Sequence, residues 1–242
     1  MLSLYLFNGS MKNFALIPAY NEEENIEEVV KRIKKCGLVP IVIDDCSKDR
    51  TFELAKKAGA LVLRHEVNKG KGEAIKTGIS FLLKRYVVDN VVVIDADLQY
   101  SPEESLKLIK PLEEGKADFV MGKRDWSKVP FMHRFGNFLW RFFFNFFFEQ
   151  RLSDTNCGFV AFSRKAMEKL KDQVHGGYIL EDEMLIAMVK NRLKITQVPV
   201  EVTYKKTSSF LRGVRMVLGI LIFVVREGLK YKISKLIDKL KK

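Results

Sequence analysis

From Phe14 onward, short β-branched and apolar runs alternate with stretches in which apolar residues recur at helical spacing, and few folds accommodate that alternation. Repetition of strand, helix and strand builds an α/β sheet of largely parallel strands with helices on both faces. FALIP, IVIDD, ALVLRH, VVVID and DFVMG are the expected strands, and the first half has a Rossmann-like rhythm. Between the first two, Ile26, Val29, Val30 and Ile33 fall on one helical face, with Asn21 placed as the cap and Glu22, Glu23 and Glu24 as the first turn. Asp49 is placed to cap a second helix that stops at Gly59, and another helix is expected from about Gly70 to Arg85. Ser101, Pro102 and Glu104 carry the pattern of a capping box with proline at the first helical position. The 242 residues, 47% of them hydrophobic, suffice for one such domain and a short appendage. No internal repeat or low-complexity linker interrupts the pattern before the C-terminal segment.

Chemistry concentrates where the apolar runs stop. IDADLQ places Asp95 and Asp97 two residues apart at a strand's carboxyl end, and alternation aims both carboxylates to one side. Ligands of open α/β sheets bind beyond that edge, and two close carboxylates repel unless protons or a divalent cation neutralise them. Mg²⁺ or Mn²⁺ bridging a diphosphate suits such a pair; a solvated turn with two acids is the plainer alternative. Asp44 and Asp45 end another apolar run, as turn or cap residues or as part of a pocket, and PAYNEEEN follows the first strand. Polar groups at three strand ends converge on one sheet edge and favour a nucleotide pocket.

NKGKGEAIKTG is glycine-rich, but its spacing matches neither the dinucleotide fingerprint nor the P-loop. Lys69 and Lys71 there either favour phosphate or are simply solvated. Glu181, Asp182 and Glu183 sit at the start of a helical run, where they serve the site or complement the helix dipole. Asp154 in SDTNCGF is either a site acid or a turn-stabilising side chain, and His175 reads as a loop residue. Cys36, Cys46 and Cys157 lack metal-type spacing; neither a disulfide nor a zinc site is expected, and a reducing cytosol fits. The opening MLSLYLFNGS lacks the parts of a signal peptide and reads as an upstream extension, with Met11 as the working start.

Taken in order, IPAYNEEENI, IDDCSKDRT, NKGKGEAIKTG, IDADLQYSPEE, VMGKR and DTNCGFVAFSR resemble glycosyltransferase family 2, most of all its dolichyl- or polyprenyl-phosphate sugar synthases. The resemblance spans roughly Phe14 to Tyr204 and implies a GT-A fold. It implies that Pro18, Ala19, Tyr20 and Glu22 line the donor's base and ribose, with Ile43 and Asp45 beside the base. Asp95, Ala96 and Asp97 would meet the donor, with Asp95, Asp97 and Gln99 around Mg²⁺ or Mn²⁺. Arg124 matches the arginine of the family's V-x-G-S-R strand end, suited to binding phosphate bidentately. Asp97, Arg124 and Asp182 are the expected catalytic residues, and Arg124, Arg134 and Lys205 the expected acceptor-phosphate contacts, with Lys206 and Ser209 in the loosely matching YKKTSSF beside them. Two departures are Lys123 where that branch has serine and Cys46 where it has glycine.

The formal net charge of +12 calls for an anionic partner. Much of it crowds the C-terminus, where Leu229, Ile233, Leu236, Ile237 and Leu240 recur at helical spacing among lysines; an anionic membrane surface is therefore the expected partner and nucleic acid is not. FGNFLWRFFFNFFFEQ carries more aromatics than one covered face needs and suits a bilayer interface, or else a core or dimer contact. MVLGILIFVV spans about 15 Å as helix, too short to cross a hydrocarbon core of about 30 Å. The expectation is a GT-A domain over 12–206 and a membrane-associating helical segment over 207–242, peripheral on the cytoplasmic side. Its reaction would be inverting transfer of a hexose or N-acetylhexosamine from a UDP- or GDP-sugar to dolichyl or polyprenyl phosphate. The alternative acceptor is a hydroxyl of a lipid-linked or surface glycan, which needs a general base, whereas a phosphate monoester is already largely ionised at neutral pH.

Overall fold

A computed structural model describes residues 12–126, 131–170, 179–203 and 210–240. The first half alternates as expected: β1 (Asn13–Ala19), α1 (Ile26–Lys35), β2 (Val39–Asp44), α2 (Thr51–Lys57), β3 (Leu61–Arg64), α3 (Lys71–Arg85) and β4 (Asn90–Val93). A one-turn 3₁₀ helix, Pro102–Glu104, leads into α4 (Ser105–Glu113), then β5 (Phe119–Arg124) and α5 (Phe131–Phe148). After β6 (Val160–Ser163) come α6 (Arg164–Leu170), α7 (Leu180–Lys190), β7 (Ile195–Val200) and α8 (Phe210–Leu240). The strands form one sheet in the order β3-β2-β1-β4-β6-β5-β7. β1 pairs in parallel with β2 and β4, β2 with β3, and β5 with β7, whereas β6 runs antiparallel to both its neighbours. The carboxyl ends of β1, β2, β4 and β5 therefore share one edge with the entry to β6.

The core follows from the strands' apolar runs: Leu16, Ile17, Ile41, Ile43, Val92 and Phe119 have no exposed surface, as expected of strands covered on both faces. Full burial corrects one expectation. Ile43 pairs in register with Pro18 and lies in the core, so its side chain offers no surface to a ligand.

Two expected caps are also corrected. α1 begins at Ile26, and its first-turn acids are Glu27 and Glu28. Asn21 instead turns the chain at φ +55°, donating its N–H to Ser47 and accepting from the Lys48 N–H, so it ties the loop after β1 to the loop after β2. At Ser101 no reciprocal box forms: its hydroxyl donates to Glu103, while Glu104 is drawn away to accept from the Glu201 N–H and Lys107. Arg32 of α1 completes that arrangement, and its guanidinium, helped by the Ser101 hydroxyl, lowers the Glu103 carboxyl to about 2. Asp49 lies one residue before the N-cap of α2, Arg50, and its carboxylate accepts from the Thr51 N–H that opens the helix.

α5 and α8 pack against each other beside the sheet. α5 buries Trp140, Phe144 and Phe148 and leaves Phe138, Phe142 and Phe146 outward, 51%, 54% and 61% exposed, as a stripe at four-residue spacing. Gly228 sets how closely the two helices approach, because a Cβ there would stand 2.4 Å from Cβ and Cγ of Phe147. Gly228→Val is therefore expected to cost about 1–3 kcal/mol by overpacking. Urea unfolding reads this directly, and an unchanged midpoint would show that the helices separate freely. No helix among the described residues is long and apolar enough to cross a membrane.

Candidate active site

The shared strand edge brings together residues from five parts of the chain. Val93 ends β4, and Asp95 and Asp97 follow, with Leu98 at φ +58° reversing the chain so that Asp97 Oδ1 accepts from the Gln99 N–H at 3.0 Å. Gln99's carbonyl accepts from the Thr203 N–H, which ties this turn to the segment after β7. Lys71, the first residue of α3, extends its ammonium between both oxygens of Asp95, at 2.7 and 2.8 Å, and stands 4.0 Å from Glu181 at the start of α7. Burial alone would lower the Lys71 pKa, but the charges of Asp95 and Glu181 outweigh it and hold the ammonium above its ordinary value. Gly158 completes the ring: a Cβ there would meet Lys71 Nζ at 3.0 Å, Glu181 Oε1 at 3.1 Å and Asp95 Oδ2 at 3.7 Å. The missing side chain lets the Lys71 and Glu181 heads close up against the turn that enters β6.

Arg124 ends β5 and meets Asp154, which lies in the same turn as Gly158. Its Nε donates to Oδ2 at 2.8 Å and its Nη2 to Oδ1 at 2.9 Å, a bidentate pair with Asp154 wholly buried. The Trp126 ring lies 4.9 Å from the guanidinium. Gln197 of β7 braces the same turn from both sides, accepting from the Ser153 N–H and donating to the Asp154 carbonyl. Cys157 is buried against the Tyr100 hydroxyl, and burial pushes its thiol up to about 11. The arginine expected to face phosphate is thus oriented by an acid 30 residues away in sequence.

On the β1 and β2 side, Ala19 is buried, its carbonyl accepting from the Asp45 N–H, while Tyr20 is exposed and Pro18 and Glu22 are half-buried. Glu22 donates its N–H to Thr51. Both oxygens of Asp45 are engaged, Oδ1 by His65 and the Lys69 N–H, Oδ2 by the Gly70 N–H. Burial opposes ionisation there, but those donors lower the Asp45 pKa below its ordinary value. Cys46 stands at φ +65°, the left-handed region that glycine enters without strain. Glycine is the residue that the resemblance leads one to expect there.

Of the acids opening α7, Glu181 faces the cluster, whereas Asp182 is buried. Its burial, then the neighbouring Glu181 and Glu183, raise the Asp182 pKa well above its ordinary value. A group whose folded pKa is raised binds a proton on folding, so stability falls as pH rises above the unfolded carboxyl value. Asp182→Asn is accordingly expected to stabilise the fold, with a gain that grows from acidic to neutral pH; a flat difference in melting temperature between pH 4 and pH 7.5 would contradict it. Ala96 is buried, Arg134 is exposed on α5, and Lys205, Lys206, Ser209 and His175 lie outside the described residues.

Residues 14–171 match the family described as Glycosyl transferase family 2. The chain belongs to glycosyltransferase family 2. Among curated relatives of this family 2 chain is the UDP-N-acetylglucosamine--dolichyl-phosphate N-acetylglucosaminyltransferase of Methanococcus voltae, 30% identical over 93% of this chain and 98% of that protein. The dolichol-phosphate mannosyltransferase of Pyrococcus furiosus is 40% identical over a shorter stretch, 47% of this chain and 33% of the relative. Glucosyl-3-phosphoglycerate synthase of Mycobacterium tuberculosis, in complex with Mn²⁺, UDP-glucose and phosphoglyceric acid, shares the fold: the TM-score is 0.72 at 22% identity, over 90% of this chain and 80% of that one.

The geometry also changes which residues stand out. Lys71 was one of two lysines in a glycine-rich run, and only the fold shows that it, rather than the exposed Lys69, reaches Asp95. Its position as the first residue of a helix, directly after Gly70, was the available signal. Gly158 and His65 carried none.

Proposed function

We propose that this family 2 glycosyltransferase moves a hexose or N-acetylhexosamine from a UDP- or GDP-sugar onto dolichyl or another polyprenyl phosphate, inverting the anomeric carbon. The observation that carries the reading is the cluster around Gly158, where Lys71 lies between Asp95 and Glu181 beside Asp97. An ammonium held by two carboxylates marks a place where a cation is favoured, and Gly158 lets the charged groups gather there.

Those oxygen donors suit Mg²⁺ or Mn²⁺, which take part of their shell from substrate phosphates. Asp95 and Asp97, with Gln99, would hold the ion, which when bound offsets charge on a diphosphate leaving group. Pro18, Ala19, Tyr20 and Glu22 line the base and ribose. Asp45 borders the base from its anchored position, while Ile43 contributes only backbone. Arg124, its guanidinium fixed by Asp154, presents a positioned cation to phosphate, and Arg134 and Lys205 are proposed as further acceptor-phosphate contacts.

The dolichyl-phosphate relatives support a phosphate acceptor. A hydroxyl acceptor requires a general base, and Asp182, the expected candidate, is buried and offers almost no surface to an acceptor. A phosphate monoester has no such requirement. Transfer measured side by side with polyprenyl phosphate, the unphosphorylated polyprenol and a lipid-linked glycan tests this. Product only from the phosphate is expected; product from a hydroxyl acceptor would replace this reading.

A lipid acceptor places the chain at a membrane surface, over 12–206 as the catalytic domain and 207–242 as the associating segment, on the cytoplasmic side. The outward Phe138, Phe142 and Phe146 and the exposed Leu229, Ile233 and Leu236 among lysines support this. Phe142→Asp is expected to weaken binding to vesicles of phosphatidylglycerol and phosphatidylcholine by about tenfold. Co-sedimentation equal to wild type would remove the α5 stripe from the interface.

A further inference from the structure

His65 follows β3, is almost fully buried, and joins three elements that lead to the cluster. Its backbone N–H donates to the Asp44 carbonyl at 2.9 Å. Its ring Nδ1 lies 2.6 Å from Asp45 Oδ1 after β2, and Nε2 lies 3.0 Å from Thr77 Oγ1 in α3. An ionised Asp45 can only accept, so Nδ1 carries a proton, while the Thr77 hydroxyl can serve Nε2 as donor or acceptor. Asp45 in turn accepts from the Lys69 and Gly70 N–H groups at 2.9 and 2.7 Å. Gly70 has φ +86° and ψ +162°, a conformation that residues with a Cβ scarcely adopt, and the next residue is Lys71.

We infer that His65 is a positioning residue of the donor site: by bridging Asp45 and Thr77 it fixes the turn over residues 66–70 that delivers Lys71 to Asp95 and Glu181. A lysine side chain has four rotatable carbons and snorkels readily, so its head is placed only where its backbone origin is fixed. Without the ring, the Asp45 carboxylate is free to rotate away from the Lys69 and Gly70 N–H groups. The glycine-only turn then loses the bonds that select it, and the Lys71 ammonium leaves Asp95. The inference rests on the nucleotide-sugar reading above.

The test uses the full chain and two near-isosteric substitutions. An asparagine amide can stand where Nδ1 stands, whereas a glutamine amide reaches towards Nε2 and Thr77. Amide hydrogen exchange over residues 66–71, Mn²⁺-dependent binding of UDP and GDP by calorimetry, and thermal melts are measured for wild type, His65→Asn, His65→Gln, Lys71→Met and the double variant H65Q/K71M. His65→Gln is expected to speed exchange at Lys69 and Gly70 and weaken nucleoside diphosphate binding by about tenfold. His65→Asn should recover most of both. In the Lys71→Met background, His65→Gln should cause no further loss of binding, because its effect passes through Lys71. Unchanged exchange or binding in His65→Gln, or losses that simply add in the double variant, would overturn the inference. Wild type that binds neither nucleotide contradicts the functional reading itself, whereas wild-type binding with an unaffected His65→Gln contradicts only the role of His65.

Discussion

Asp97→Asn is expected to lower sugar transfer by about 10²–10³-fold while leaving stability unchanged. Asparagine keeps the oxygen that accepts the Gln99 N–H, so the turn through Leu98 survives. Only the charge is removed. Asp95 retains its pair with Lys71, so the variant isolates what the second carboxylate contributes to holding a cation and a diphosphate. The drop should appear in kcat/KM at fixed metal, with the midpoint of urea unfolding as the control. Transfer within about threefold of wild type would show that Asp97 serves the turn rather than the chemistry.

Asp154→Ala is expected to destabilise the fold by about 3–5 kcal/mol, a large share of the 5–15 kcal/mol typical of a domain. The substitution leaves the Arg124 guanidinium at a largely buried site without the two bonds that hold it. It also removes the acceptor of the Asn156 N–H, in the turn that carries Gly158. Loss of one partner from a buried pair costs far more than loss of both, so Arg124→Met/Asp154→Leu should recover part of the stability and none of the activity. Urea unfolding of the single and double variants reads the first, and sugar transfer the second. A loss below about 1 kcal/mol in Asp154→Ala, the value of an exposed pair, would contradict the structural role of the clamp.

How much of this was legible before the structure depended on range. Asp95 and Asp97 were readable as residues of a strand's carboxyl edge because an apolar run stops abruptly there, although both lie past the end of β4, where strand alternation no longer sets their direction. α3 was readable to within a residue from its periodicity and the glycine before it, Gly70. The Arg124–Asp154 clamp was not, because it joins the end of β5 to the turn before an antiparallel strand, and no local pattern specifies that register. Asn21 and Ser101 matched cap patterns, but other partners displaced the helix ends: Ser47 and Lys48 across the fold for one, Arg32 across the fold and the neighbouring Glu103 for the other. Ile43 was carried over by motif position; strand alternation in a sheet covered on both faces put it in the core. His65 ends an apolar run and resembles any strand terminus until Asp45 and Thr77 are brought to its two nitrogens.

The most direct measurement is transfer of radiolabelled sugar from a panel of UDP- and GDP-sugars into organic-extractable lipid, with polyprenyl phosphate as acceptor and Mg²⁺ or Mn²⁺ present. The expected result is lipid-linked label from one class of donor, abolished by chelation and by omission of the acceptor phosphate, and strongly reduced in Asp97→Asn. Label that enters lipid without metal, or nucleotide-sugar binding with no lipid-linked product from any donor, would contradict the assignment of a metal-assisted polyprenyl-phosphate glycosyltransferase.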